Sequence, residues 1–181
     1  RSQIQDASLA ALLRLLEAPR VNNEALPARF LLKTAEPCHS DEMANVYRQV
    51  FKTYPFPIQD ASYLKKTMNE GKVIYFGIWN NGKLAGLSSA ELDVSNRNAE
   101  MTDFAVLPQY RGQKLASFLL RKMEEQMSLL NFKTLYTIAR LNSPGMSKTF
   151  INSGYHYSGL LKNNTNISGQ IESRTVYYKN I

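Results

Sequence analysis

Cysteine is nearly missing: Cys38 is the only one in 181 residues, which rules out an internal disulfide and a disulfide-stapled secreted scaffold. Histidine is scarce as well. His39 and His156 lack metal-ligand spacing, so no structural metal is expected. No apolar run approaches the roughly 18 residues of a membrane span, and the leucine-rich stretch from Leu9 to Leu16 is broken by Arg14. Nor is there any block of about five or six consecutive basic residues. Neither a membrane nor a nucleic acid is therefore an expected partner, and a cytoplasmic location is the default.

The charge itself is positive, +7 from 22 Lys and Arg against 15 Asp and Glu, and it favours a small anionic partner such as a phosphorylated cofactor. Hydrophobic residues at 44% and charged residues at 20% give a globular balance over a length that suits one α/β domain. The chain begins at Arg1, and no signal peptide can be read from it. Residues 1–27 are expected to be an N-terminal helix and linker, the remnant of a truncated upstream region. Ile4, Leu9, Leu12, Leu13 and Leu16 carry the helical stripe, and two prolines with Asn22-Asn23 mark the linker. Residues 28–181 are expected to form the domain proper.

Within it, Phe30–Lys33 reads as a strand. A helix starting at Ser40-Asp41 carries Met43, Val46, Tyr47, Val50 and Phe51 at helical spacing. Tyr54-Pro55-Phe56-Pro57 breaks it with a stiff loop, and Asp60 can cap a second helix reaching about Asn69. Val73–Trp79 and Leu84–Leu92 are strands joined through Asn81-Gly82, which accepts the positive φ of a tight hairpin. Asn98–Val106 is a further strand. A long helix follows, with Leu115, Leu119, Met123, Met127 and Leu130 on one face. Leu135–Ala139, a helix over Gly145–Asn152, and strands over Tyr155–Leu161 and Arg174–Tyr178 complete the order. The strand-helix-strand unit between residues 98 and 139 places a parallel pair inside a largely antiparallel sheet, a kind of place that ligands favour.

The chemistry concentrates between Phe104 and Ala116, where a strand passes through a glycine-containing loop into a helix with a basic first turn. A helix N-terminus carries about half a positive charge, so Arg111 and Lys114 are unfavourable there by a few tenths of a kcal/mol unless an anion joins them. Free backbone N–H groups, with Gly112 allowing close approach, would cradle a diphosphate. Taken alone, the loop reads equally well as an exposed basic turn with no ligand.

This segment resembles the acetyl-CoA pyrophosphate loop of GNAT acetyltransferases. Arg111, Gly112, Gln113, Leu115 and Ala116 fit its pattern, and Lys114 stands where that family usually has glycine. The resemblance runs from about Phe30 to Tyr178, with Ser153-Gly154-Tyr155 matching the glycine-aromatic ending of the family's last helix. It implies an acetyl-CoA-dependent N-acetyltransferase of mixed α/β fold. The sheet would have about seven strands, mainly antiparallel with one splayed parallel pair, flanked by about four helices. Pantetheine would lie between that pair, against Phe104, Ala105 and Val106, with Ser143 in place of the family's asparagine. Lys114 would reach phosphate. The position of the family's tyrosine acid is Phe150 here, so Tyr157, Tyr54 or water would have to protonate the leaving thiolate.

A lysine-like amine, with a pKa near about 10.4, is almost wholly protonated at neutral pH and needs a base. Glu100, six residues before the end of the strand at Val106, matches the family's catalytic glutamate. It also reads as an ordinary surface carboxylate. Two-residue alternation puts Asp103 on the opposite face from Glu100.

Four longer stretches are similar to β-lysine acetyltransferases, whose product is a compatible solute. They are Val50–Pro57, Asn98–Phe104, Tyr136–Arg140 with Ser143–Met146, and Asn163–Gly169 with Ile171–Ser173. A small diamino acid needs a cation for its carboxylate, acids for its second amine and a slot for its methylenes. Arg140 is the candidate clamp, Asp103 and Glu172 are candidate ammonium partners, and Tyr54 with Phe56 is the candidate apolar wall. Asn164 and Asn166 would read polar ends if their segment folds over the acceptor; the same segment reads equally as a solvated hairpin loop. A different small amine, a protein lysine or N-terminus, and a non-catalytic acyl-CoA-binding role stay open as alternatives, as does a homodimer.

Overall fold

A computed structural model describes Ala10, Arg14, residues 24–167 and residues 170–181. The helix expected over residues 3–17 and most of the linker after it lie outside the described residues.

Among the described residues seven strands form one sheet in the order β1-β2-β3-β4-β5-β7-β6. They are β1 (Phe30–Thr34), β2 (Val73–Asn80), β3 (Lys83–Asp93), β4 (Asn98–Val106), β5 (Thr134–Arg140), β6 (His156–Ile167) and β7 (Gln170–Asn180). Among the described residues four helices accompany them: α1 (Ser40–Val50), α2 (Ala61–Asn69), α3 (Leu115–Leu129) and α4 (Pro144–Asn152). Among the described strands only β4 and β5 pair in parallel, as a crossover through α3 requires; the remaining neighbours are antiparallel.

Local chemistry accounts for the boundaries. The Asp60 side chain accepts the Ser62 N–H at 2.8 Å and starts α2. Between β2 and β3, Asn81 and Gly82 both take positive φ, 49° and 78°, as a two-residue hairpin turn of this hand demands. The sheet separates two cores. On one face α3 and α4 bury Leu119, Met123, Phe150 and Ile151 against Met101 and Leu135; on the other, α1 and α2 bury Met43, Tyr47 and Leu64 against Leu87 and Ala105.

The last hairpin is longer than expected, because Asn163–Ile167 continues β6 where its polar composition suggests a loop. Main-chain pairing with β7 sustains it, as Thr165 meets Glu172 and Asn166 meets Ile171. Side chains that project beyond the domain need no apolar face. A register shift between Leu161 and Thr165 accommodates Asn163, whose φ is 47° and whose N–H donates to Ser173 Oγ at 3.2 Å.

Candidate active site

Beyond β4 the chain makes a short 3₁₀ turn over Pro108–Tyr110 and enters α3 through Arg111–Lys114. Gly112 has a φ of 78°, and Lys114 at the N-cap is left-handed too, with φ 58° and ψ 21°. The Lys114 carbonyl receives the N–H groups of Ser117 and Phe118, so the amides that open the helix have no intrahelical acceptor. Arg111, Gly112, Lys114, Leu115 and Ala116 all border one cavity of about 530 Å³. Lys114 already has a carboxylate partner, Glu24, at 2.6 Å. Gln113 faces elsewhere, and its side-chain oxygen accepts from Arg29.

The cavity exists because the parallel pair opens. β4 and β5 are in register from Asn98 and Thr134 to Glu100 and Tyr136, and there the pairing ends. Farther along, Phe104 and Val106 from β4 face Thr137, Ile138 and Ala139 from β5 across the gap, and Ser143, Met146 and Phe150 close one side. Ala105 instead packs into the core beneath α1. Where the strands have parted, their main-chain groups no longer serve a common ladder, and such edges suit an amide-bearing chain such as pantetheine. With an anion-favouring turn at one end and parted strands along its length, the cavity fits acetyl-CoA. Phe150 is 1% exposed and stands edge-on to Phe104 at 5.6 Å, with no hydroxyl to offer.

Past the opening lie the acids, and here simple alternation fails. Leu87 and Ser89, two residues apart on one face of β3, are opposite Ala105 and Thr102, which are three apart. The extra residue is a bulge with Asp103 at a φ of 54°. It turns the Asp103 carboxylate to the face of Glu100 and Thr102, where Ser89 Oγ donates to it at 2.7 Å and the Tyr54 hydroxyl donates to its other oxygen. The expected separation of Asp103 from Glu100 is thereby corrected: both belong to one electrostatic group, with Glu91 directly opposite Glu100 on β3.

Burial, with the nearby charges of Glu91 and Asp103, pushes the Glu100 carboxyl up to about 7, against a weaker opposing pull from Arg174 and the Ile138 N–H. Burial also raises Asp103, which is 8% exposed, despite the hydrogen bonds it accepts. Tyr54 is raised far above the usual phenol range by burial and by the Asp103 charge. Tyr54, Thr102 and Asp103 line the cavity; Glu100 lies just behind that wall, two residues before Thr102 and on its face.

Arg140 and Glu172 are together, but as partners of each other. Arg140 Nε and Nη2 donate to the two Glu172 oxygens at 2.8 and 2.6 Å, and Glu172 is buried. Phe56 is 55% exposed and, like Asn164 and Asn166, is not part of the cavity wall; Tyr157 lies against Tyr177, also away from it. Sequence reasoning passed over Arg174, which does line the cavity. Its signal was the Glu172-Ser173-Arg174 spacing, which puts an acid and a base on one face of β7.

Residues 40–146, more than half of the chain, match the model of the Acetyltransferase (GNAT) family. The chain is 46% identical over 151 residues to the beta-lysine N(6)-acetyltransferase of Methanococcus maripaludis, covering 83% of this chain and 55% of that protein. To the N-acetyltransferase YodP of Bacillus subtilis it is 36% identical over 164 residues, 91% of this chain and 59% of that one. The chain thus spans little more than half the length of these curated relatives. Among solved structures, the ribosomal-protein-S18-alanine N-acetyltransferase from Escherichia coli has the same fold, with a TM-score of 0.72 at 16% identity over 84% of this chain and 94% of that one.

Proposed function

The chain belongs to the GNAT acetyltransferase family, and on that premise we propose that it transfers acetyl from acetyl-CoA to the side-chain amine of β-lysine. The observation that carries this reading is the opening of β4 from β5, which joins a basic helix turn to a group of raised carboxyls through one cavity. The 46% identity to a protein named for that reaction supports the choice of amine.

Bound acetyl-CoA supplies the acetyl group as a thioester. The N–H groups around Gly112–Ala116, with Arg111, would hold its diphosphate, and the edges of β4 and β5 with Ser143 would hold the pantetheine. Glu100 takes the proton of the incoming ammonium, directly or through a water. A carboxyl at about 7 is half ionised at neutral pH and basic enough to share that proton, whereas an ordinary glutamate is a poorer match. Asp103, fixed by Tyr54 and Ser89, presents negative charge to the acceptor's ammonium.

The neutral nitrogen then forms the amide bond as the carbon–sulfur bond breaks, and the second proton that it sheds passes through water to the departing thiolate. Tyr54 is not the acid, since its proton is committed to Asp103 and its pKa is raised. A thiol with a pKa near about 8.5 leaves readily, and water can return its proton. Acetylation turns a net-cationic diamino acid into a net-neutral zwitterion, the charge state that suits a compatible solute made in the cytoplasm.

The test is thiol release from acetyl-CoA with β-lysine, lysine, spermidine or a lysine peptide, followed by mass spectrometry of the product. β-Lysine should be the preferred acceptor. Turnover with peptide alone, or tight acetyl-CoA binding without turnover, would reject the proposal.

A further inference from the structure

Arg140 and Arg174 are registered partners on β5 and β7, so two guanidinium groups stand side by side where both strands border the cavity. Like charges so placed repel unless anions answer them. Glu172 answers one. Both of its oxygens are taken by Arg140, and among the described residues no carboxylate forms an ion pair with Arg174. Arg174 donates Nη1 to the Ile138 carbonyl at 3.1 Å, which fixes the guanidinium plane. Its Nε is shut off from solvent and has no acceptor among the described residues. That nitrogen is out of a ligand's reach as well, so the part of this half-buried guanidinium that borders the cavity is what is left to receive a planar carboxylate.

The surroundings agree. Arg174 is close enough to Glu100 and Asp103 to pull both carboxyls down, so the cation and the acids share one end of the cavity. An acceptor that carries both an ammonium and a carboxylate meets its opposite charge at each.

We propose that Arg174, not Arg140, binds the carboxylate of the acceptor and so sets the preference for an amino acid over a simple amine. This rests on the diamino-acid reading above. Arg140 is held by Glu172 and serves to keep the strand ends rigid.

The experiment compares kcat/KM for β-lysine and β-lysinamide, whose carboxylate is replaced by a neutral amide, in wild type, R174K and R174Q. Wild type should prefer the acid. R174Q should lose roughly 10- to 100-fold on the acid, mainly through KM, and much less on the amide, with R174K in between. Equal losses on acid and amide, or no loss on either, would overturn the assignment of Arg174 while leaving the acetyl transfer intact. If R174Q does not fold, a wild-type acid-to-amide preference below about threefold, or a ratio unchanged in R174K, overturns it just as well. A wild type inactive on β-lysine would remove the underlying reading, and this inference with it.

Discussion

The hydroxyl of Tyr54 donates to the carboxylate of Asp103, a hydrogen bond across 49 positions of sequence that ties the proline-flanked loop after α1 to the bulge in β4. Pro55, Phe56 and Pro57 are all exposed, and the loop is also held from its far side by buried Ile58 and by Gln59, whose side chain donates to the Phe51 carbonyl and whose carbonyl accepts from Arg48. The Tyr54 bond helps fix one wall of the cavity.

Tyr54→Phe should destabilise the protein by about 1–3 kcal/mol, because a buried carboxylate loses a donor. That donor favours the ionised form and lowers the Asp103 pKa, so its removal raises the pKa further. The loss consequently grows as pH rises and Asp103 ionises. Urea melts of wild type and variant across the pH range in which both stay folded would show it; a loss that shrinks as pH rises would count against the bond.

Glu100→Gln should change the shape of the pH profile as well as its height. In wild type, kcat/KM falls as pH drops below about 7, where Glu100 becomes protonated. Without the base, the rate follows the fraction of neutral amine and rises about tenfold per pH unit up to the amine pKa. A variant with the wild-type profile would remove Glu100 from the proton path. The same shift has a stability signature: the folded state holds this proton between the ordinary value of 4.5 and about 7, so stability from Glu100 declines as pH rises through that window. The glutamine variant should lack that part of the decline in melts between pH 4.5 and pH 8.

At the basic turn, Gly112→Ala should weaken acetyl-CoA binding at least several-fold, because alanine resists the φ of 78° that shapes the cradle. Lys114→Gly should be neutral or stabilising, by up to about 1 kcal/mol, since glycine adopts the left-handed N-cap freely and the exposed pair with Glu24 is worth little. Lys114→Met separates charge from backbone. Calorimetry with coenzyme A on both variants shows which matters: equal loss points to the ammonium, and a change in Lys114→Gly with none in Lys114→Met points to the backbone.

Arg140→Gln leaves the buried Glu172 without its bidentate partner and should cost roughly 3 kcal/mol of stability. The acid-to-amide preference among acceptors should survive. Denaturant melts and the β-lysine to β-lysinamide ratio, read together, check both halves.

Much of the fold was legible because its signals are local. Asn81-Gly82 fixes a hairpin, Asp60 caps α2, and the spacing from Leu115 to Met127 marks α3, each through chemistry contained within a few residues. The polar run after Asn163 misled because strand pairing uses the main chain, and a projecting hairpin asks nothing apolar of its side chains. The basic turn was legible for the same reason as the hairpin: Arg111, Gly112 and Lys114 are neighbours in sequence. The acceptor end was not. Which of Arg140 and Arg174 takes Glu172 depends on pairing across more than thirty positions, and the side to which Asp103 points depends on a positive φ at a residue that is not glycine.

The added residue at Asp103 makes β4 a strand whose odd and even positions exchange duties partway along. Before it Met101 serves the layer under α3, and after it Ala105 serves the layer under α1. Deleting Asp103 would restore ordinary parity with Met101 and Ala105 still in their own layers, and would remove only the carboxylate that the bulge turns toward the cavity. The surplus position thus serves the cavity rather than either layer, and shortening the strand by that one residue should impair the site before the fold.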